Sequence, residues 1–137
     1  MESQDKNKII KELQKDMTEE NLWEAVIAFQ NQPFFTATGL PFTYEVKKGR
    51  RGDYTRELVV SRRKESKTLT WSSLKHAFKG AVDLRGSIVI RPKALGDIRG
   101  VSYIYPLFYK FGIIEVTEKI AALMNSVQVS DSASKNN

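Results

Sequence analysis

The sequence predicts a single α+β domain: a small antiparallel sheet that carries a basic β-hairpin and packs against several helices. Three observations predict it. Apolar residues recur at helical spacing in five separate stretches, a period-2 run occupies the middle of the chain, and no linker or internal repeat divides them. The chain of 137 residues has the length of one domain. A domain of this size buries roughly two thirds of its extended surface. The domain is expected over residues 1–127, with the polar segment 128–137 as a disordered tail.

Residues 5–16 read as a helix, with Ile9, Ile10 and Leu13 on one side. Thr18 has the chemistry of an N-cap, and Glu19 and Glu20 follow in the first turn, where the helix dipole favours anions. The helix it starts carries Leu22, Trp23, Val26, Ile27 and Phe29 and ends before Pro33. Gly39 and Pro41 then break the chain. Phe42, Tyr44 and Val46 alternate with Thr43, Glu45 and Lys47, and ELVVSR resumes the β pattern beyond KKGRRGDYT. This predicts a hairpin with a long basic loop, followed by a second basic run, SRRKESK.

Thr70 is a further N-cap candidate, for a helix over 71–82 with Leu74, Phe78 and Val82 at i, i+4, i+8. Gly80 argues for an early end, because glycine costs about 1 kcal/mol against alanine inside a helix. SIVIR reads as a short buried strand before Pro92, and KALGDIRG as a loop. VSYIYPLFYKFG reads as a helix capped by Ser102, with Pro106 near its first turn. Ile104, Leu107, Phe108 and Phe111 are its core stripe, and Tyr105 and Tyr109 its partly exposed pair. IIEV suggests a strand, and Thr117 a cap for a last helix with Ile120, Leu123, Met124 and Val127.

Composition removes several function classes. Cysteine is absent and His76 is the only histidine, so disulfide frameworks, zinc-thiolate sites, iron–sulfur clusters and histidine-rich metal sites are excluded. No stretch approaches the roughly 20 apolar residues of a membrane span, and MESQDKNK lacks a signal-peptide core. The expected setting is cytoplasmic. The net charge is +6, and its distribution is uneven. Residues 1–30 have a net charge of −3, and residues 31–43 carry no charge. Residues 44–79 hold eleven Lys and Arg against Glu45, Asp53, Glu57 and Glu65. A positive surplus of this kind attracts polyanions and speeds encounter with them.

The strings TGLPFTYEVK, ELVVSRRKESKT and RPKALGDIRGVSYIYPLF, spread over about residues 36–114, resemble a family of small, uncharacterised proteins of Gram-positive bacteria. The resemblance implies a bacterial cytoplasmic or mobile-element setting and carries no activity with it.

The basic segment is the leading candidate site. Lys47, Lys48, Arg62, Arg63 and Lys64 are expected to grip phosphates. Arg50 and Arg51, at a glycine-flanked tip, are placed to enter a groove, Tyr54 to stack on a base, and Arg56 and Lys67 to add charge. Lys75 and Lys79 flank them on the following helix. If antiparallel strands bring their ends together, both basic runs lie near one edge of the sheet. The alternative is a solvated loop that maintains solubility.

Glu45 and Lys47, two apart on a strand, have the spacing of a metal-dependent nuclease, which needs a further carboxylate. The upstream acids Asp16, Glu19, Glu20 and Glu24 fall in predicted helices. His76 lies off the apolar stripe beside two lysines, which suits a surface position or a phosphate contact better than catalysis. KKGRRGD lacks the strand-to-helix context of a phosphate loop, and LGDIRG, placed before a helix, offers backbone N–H groups to an anion; both are weak matches.

The function expected from sequence is therefore non-catalytic nucleic-acid binding, more to double-stranded DNA than to RNA, without metal or cofactor. A hairpin suits a major groove, and no RNA-binding motif is present. The alternative is a protein-interaction module or inhibitor that applies the basic face to an acidic protein; the nuclease reading ranks third.

Overall fold

The computed structural model describes residues 2–61 and 67–125. Its helices are α1 (Glu2–Lys15), α2 (Glu19–Ala28), α3 (Trp71–Asp83), α4 (Val101–Lys110) and α5 (Glu118–Met124). The strands are β1 (Phe34–Phe35), β2 (Pro41–Phe42), β3 (Tyr44–Lys48), β4 (Tyr54–Val60) and β5 (Lys67–Thr70), and a 3-10 turn spans Pro92–Leu95. Strands β1 and β2 form a two-stranded ladder, and β3-β4-β5 a three-stranded antiparallel sheet with β4 in the centre. This is the α+β architecture expected from the sequence. The segments 62–66 and 126–137, and with them Arg62, Arg63, Lys64, Val127 and the expected disordered tail, lie outside the described residues.

Local chemistry sets the helix starts. The hydroxyls of Thr18, Thr70 and Thr117 accept hydrogen bonds from the backbone N–H groups of Asn21, Ser73 and Ile120, three residues on in each case. In the sheet, Tyr44 pairs with Val60 and Val46 with Leu58, and Leu58 with Leu69 on the far side. All five side chains are buried, so one face of the sheet closes over the helices. The core continues through α4, where every residue from Tyr103 to Phe108 is buried.

Several expectations need correction. The loop of the hairpin is not long: β3 runs to Lys48 and β4 starts at Tyr54. The basic run before Thr70 contributes β5, an element the sequence pattern did not reveal because Leu69 is its only apolar residue. SIVIR and IIEV do not form strands; they meet at one parallel bridge between Ile88 and Glu115. Only Val89 of that segment is buried, while Ile88 and Ile90, on alternate sides of the extended backbone, are largely exposed.

Helix α4 is capped at Gly100, not Ser102, so Pro106 sits inside it. The carbonyl of Ser102, which Pro106 cannot serve, belongs to an exposed residue that water can reach. Val82 closes no apolar stripe and is 40% exposed.

Gly80 does not end α3. A Cβ there would run into the carbonyl of Leu95, so glycine is what lets the helix lie against the 3-10 turn. Gly80→Ala, which at a free helix position stabilises by about 1 kcal/mol, is expected here to destabilise by about 1–3 kcal/mol. Urea denaturation reads the sign.

Tyr105 is buried rather than exposed. Its hydroxyl donates to the Val89 carbonyl at 2.5 Å, and burial pushes its pKa up to about 12. Tyr44, whose hydroxyl donates to the Val26 carbonyl at 2.6 Å, is raised well above the ordinary tyrosine value by the same desolvation. An unfolded tyrosine ionises near pH 10, before the folded one does, so the unfolded state loses its proton first. Stability is therefore complete below pH 10 and falls as pH rises toward 12, at up to about 1.4 kcal/mol per pH unit for each group. Tyr105→Phe is expected to start about 1–3 kcal/mol less stable, from the orphaned Val89 carbonyl, and to lose less above pH 10. Denaturation curves at pH 8 and pH 11 check this.

Candidate nucleic-acid interface

The hairpin turn is compact and holds its arginines outward. Gly52 N–H donates to the Gly49 carbonyl at 3.0 Å, and Gly49 N–H to the Asp53 carbonyl at 2.8 Å. Arg50 and Arg51 are thus the two central residues of a β-turn, and Gly52 follows with φ 84°, a left-handed conformation that a side chain would resist. Both arginines are exposed. A register shift between Val46 and Lys48 sets Lys48 opposite Tyr54.

Lys47 lies on the outer face of the sheet, where its ammonium meets Glu57 at 3.9 Å. This is the only ion pair among the described residues; exposed as it is, it contributes about 0–1 kcal/mol. Lys48 is exposed with its ammonium 5.5 Å from the Tyr54 ring centre. Tyr54 is 49% exposed, and Gln30 Nε2 donates to its hydroxyl at 3.4 Å. The other oxygen of this contact network, Gln30 Oε1, accepts the Val46 N–H at 2.7 Å and so ties the end of α2 to the hairpin.

Arg56 has a different place from the one expected. It shares strand parity with Leu58 and Val60, so it points to the helix side of the sheet, beyond the point where β5 ends. There its guanidinium carbon lies 4.4 Å from the Trp23 ring centre and 5.1 Å from that of Trp71. The two indoles meet edge to face at 5.1 Å. The helical spacing puts Trp23 in a core stripe, yet both tryptophans are only half-buried. The signal that could have found the stack is the alternation of β4, which puts position 56 on the inner face.

The Arg56–Trp71 pair forms a wall between two hollows. On one side Lys47, Lys48, Gly49, Thr55, Glu57 and Thr70 join it around about 530 Å3; on the other Glu19, Glu20, Glu24 and Trp23 join it around about 270 Å3. Lys75 and Lys79 are exposed on α3, one and two turns after Trp71 along the same side. His76 is exposed beside them.

The expected meeting of the two basic runs turns on residues 62–66, which lie outside the described residues. Ser61 and Lys67, which flank the second run, are at the end of β4 opposite the turn; β4 has seven residues, a span of about 20 Å. Of the twelve residues proposed from sequence, the structure gathers Lys47, Lys48, Arg50, Arg51, Tyr54 and Arg56 at the turn end of the sheet, with Lys75 and Lys79 on the helix that starts there. Lys67 belongs to β5 at the other end, and Arg62, Arg63 and Lys64 fall in the undescribed segment.

Glu45 and Lys47 do share the outer face of β3. Glu19, Glu20 and Glu24, however, stand on α2 around the opposite face, beside Arg56. Among the described residues no group of three His, Cys, Asp or Glu side chains is placed to hold a metal ion, and no helix is long and apolar enough to cross a membrane. No family model, curated protein or solved structure matches the chain.

Proposed function

We propose that this is a non-catalytic nucleic-acid-binding protein whose β3-β4 turn and the start of α3 grip a phosphate backbone. The observation that carries the reading is the turn itself: Arg50 and Arg51 stand exposed at its tip with Lys47 and Lys48 beneath them. Of these four cations only Lys47 meets a carboxylate among the described residues. Cations without partners on a narrow projection can each neutralise a phosphate and release its counterions. A two-stranded ribbon of this kind fits the major groove of double-stranded DNA, which is the form proposed for the polyanion. The setting proposed is cytoplasmic and bacterial, the latter from the resemblance to the Gram-positive family alone.

Fluorescence anisotropy with a labelled, non-specific duplex of about 20 base pairs tests the reading. Binding is expected at low salt and should weaken steeply as salt is raised, with a log–log slope of about −0.9 per phosphate neutralised. Absence of binding at low salt overturns the proposal and turns attention to an acidic protein as the partner.

A further inference from the structure

We infer that the hollow beside Arg56 and Trp71 receives an unpaired nucleobase, stacked against the Arg56 guanidinium while Lys47 and Lys48 hold the adjoining phosphates. This rests on the hairpin being a nucleic-acid grip and adds to its duplex contact a separate site for a base that has left the stack, at a single-stranded end, gap or bulge.

The hollow exists because β4 outruns β5. Thr70 pairs with Glu57 and the chain then turns into α3, so Tyr54, Thr55 and Arg56 extend past the end of β5 above Trp71. It is an open depression of about 530 Å3, which a base can enter with one face against the protein and the other toward solvent. Arg56 is exposed, makes no ion pair among the described residues and rests over two indoles. An arginine anchored in this way offers its guanidinium as a stacking surface, and every base has a π-face to set against it. A paired base shows only its edges in a groove, so this surface calls for one that has left the stack.

The surroundings give direction. Tyr54 lies on the same face of β4 two residues before Arg56, about 6.8 Å along the strand, and is a second stacking surface for a neighbouring base. Lys47 and Lys48 line the hollow, and Lys75 stands one turn beyond Trp71. The lysine side holds one carboxylate, Glu57, already paired with Lys47, whereas three, Glu19, Glu20 and Glu24, stand behind the Arg56–Trp71 wall, so the backbone is steered to the lysine side.

Trp71 lines the hollow and Trp23, the other tryptophan of the chain, meets Trp71 edge to face, so tryptophan fluorescence reports on it. Titration with a thymidine oligonucleotide of about 20 residues is expected to quench tryptophan emission to saturation, whereas a duplex of equal length leaves it nearly unchanged. Trp71→Leu and the charge-conserving Arg56→Lys should each lower single-strand affinity by roughly 5- to 150-fold and shrink the single-strand to duplex affinity ratio. Circular dichroism confirms that each variant is folded. Salt-sensitive binding of both ligands with no quenching, and a ratio that neither variant alters, overturns the base site and leaves the phosphate grip standing. If neither ligand binds at low salt, the hairpin reading has failed and the base site falls with it.

Discussion

Replacing Arg50 and Arg51 together by Glu is expected to lower duplex affinity by about 60-fold at 0.1 M salt from lost counterion release alone. That figure follows from a slope of about −0.9 per phosphate contact, taken twice over the decade between 0.1 and 1 M. Two new carboxylates at the tip add repulsion, so the measured loss should exceed it. The log–log salt slope should shrink by about 2. The fold has no stake in these side chains: the turn is held by backbone hydrogen bonds of Gly49, Gly52 and Asp53, and both arginines are exposed. Stability of the double variant should therefore stay within about 0.5 kcal/mol of the parent chain. An affinity unchanged in a folded double variant removes the turn from the interface.

Phe108→Ala is expected to cost about 3–5 kcal/mol in urea denaturation. Phe108 is fully buried in the middle of α4, with Phe78 of α3 edge-on at 6.3 Å between ring centres. Truncation removes the contact between two helices and leaves a cavity in a stretch that is buried from Tyr103 to Phe108 and has little room to relax. A loss of that size is a large share of the 5–15 kcal/mol typical of a domain. A cost below about 1 kcal/mol would mean that α4 does not form the centre of the core.

The parts of the fold that were legible in the sequence are those set by neighbours in the chain. Thr18, Thr70 and Thr117 announce helix starts because a cap needs only its own hydroxyl and an N–H three residues away. The alternation around Tyr44 and Val46 announces a strand with one buried face. What escaped depends on partners far along the chain. Tyr105 is buried because the Val89 carbonyl, 16 residues before it, accepts its hydroxyl hydrogen. Strand β5 is held by the ladder with β4, which its own composition does not foretell.

The candidate site shows the same division. Charge density marks the turn, since Lys47 to Arg51 are adjacent in sequence. Charge alone does not tell an arginine that reaches outward from one that lies over indoles, and Arg56 meets Trp23 and Trp71 only through tertiary packing. Nor does it tell which end of a strand a basic run occupies. Strand order does, and it sets Lys67 at the end of β4 opposite the turn.

The central claim is that the β3-β4 turn and the start of α3 form a phosphate-gripping surface. Mapping amide chemical shifts of the isotopically labelled protein during titration with a non-specific duplex tests it most directly. The account predicts salt-sensitive shifts concentrated between Lys47 and Arg56 and over the first two turns of α3. Shifts confined to another surface, such as the exposed Ile88–Ile90 edge, or no shifts at low salt, would contradict it.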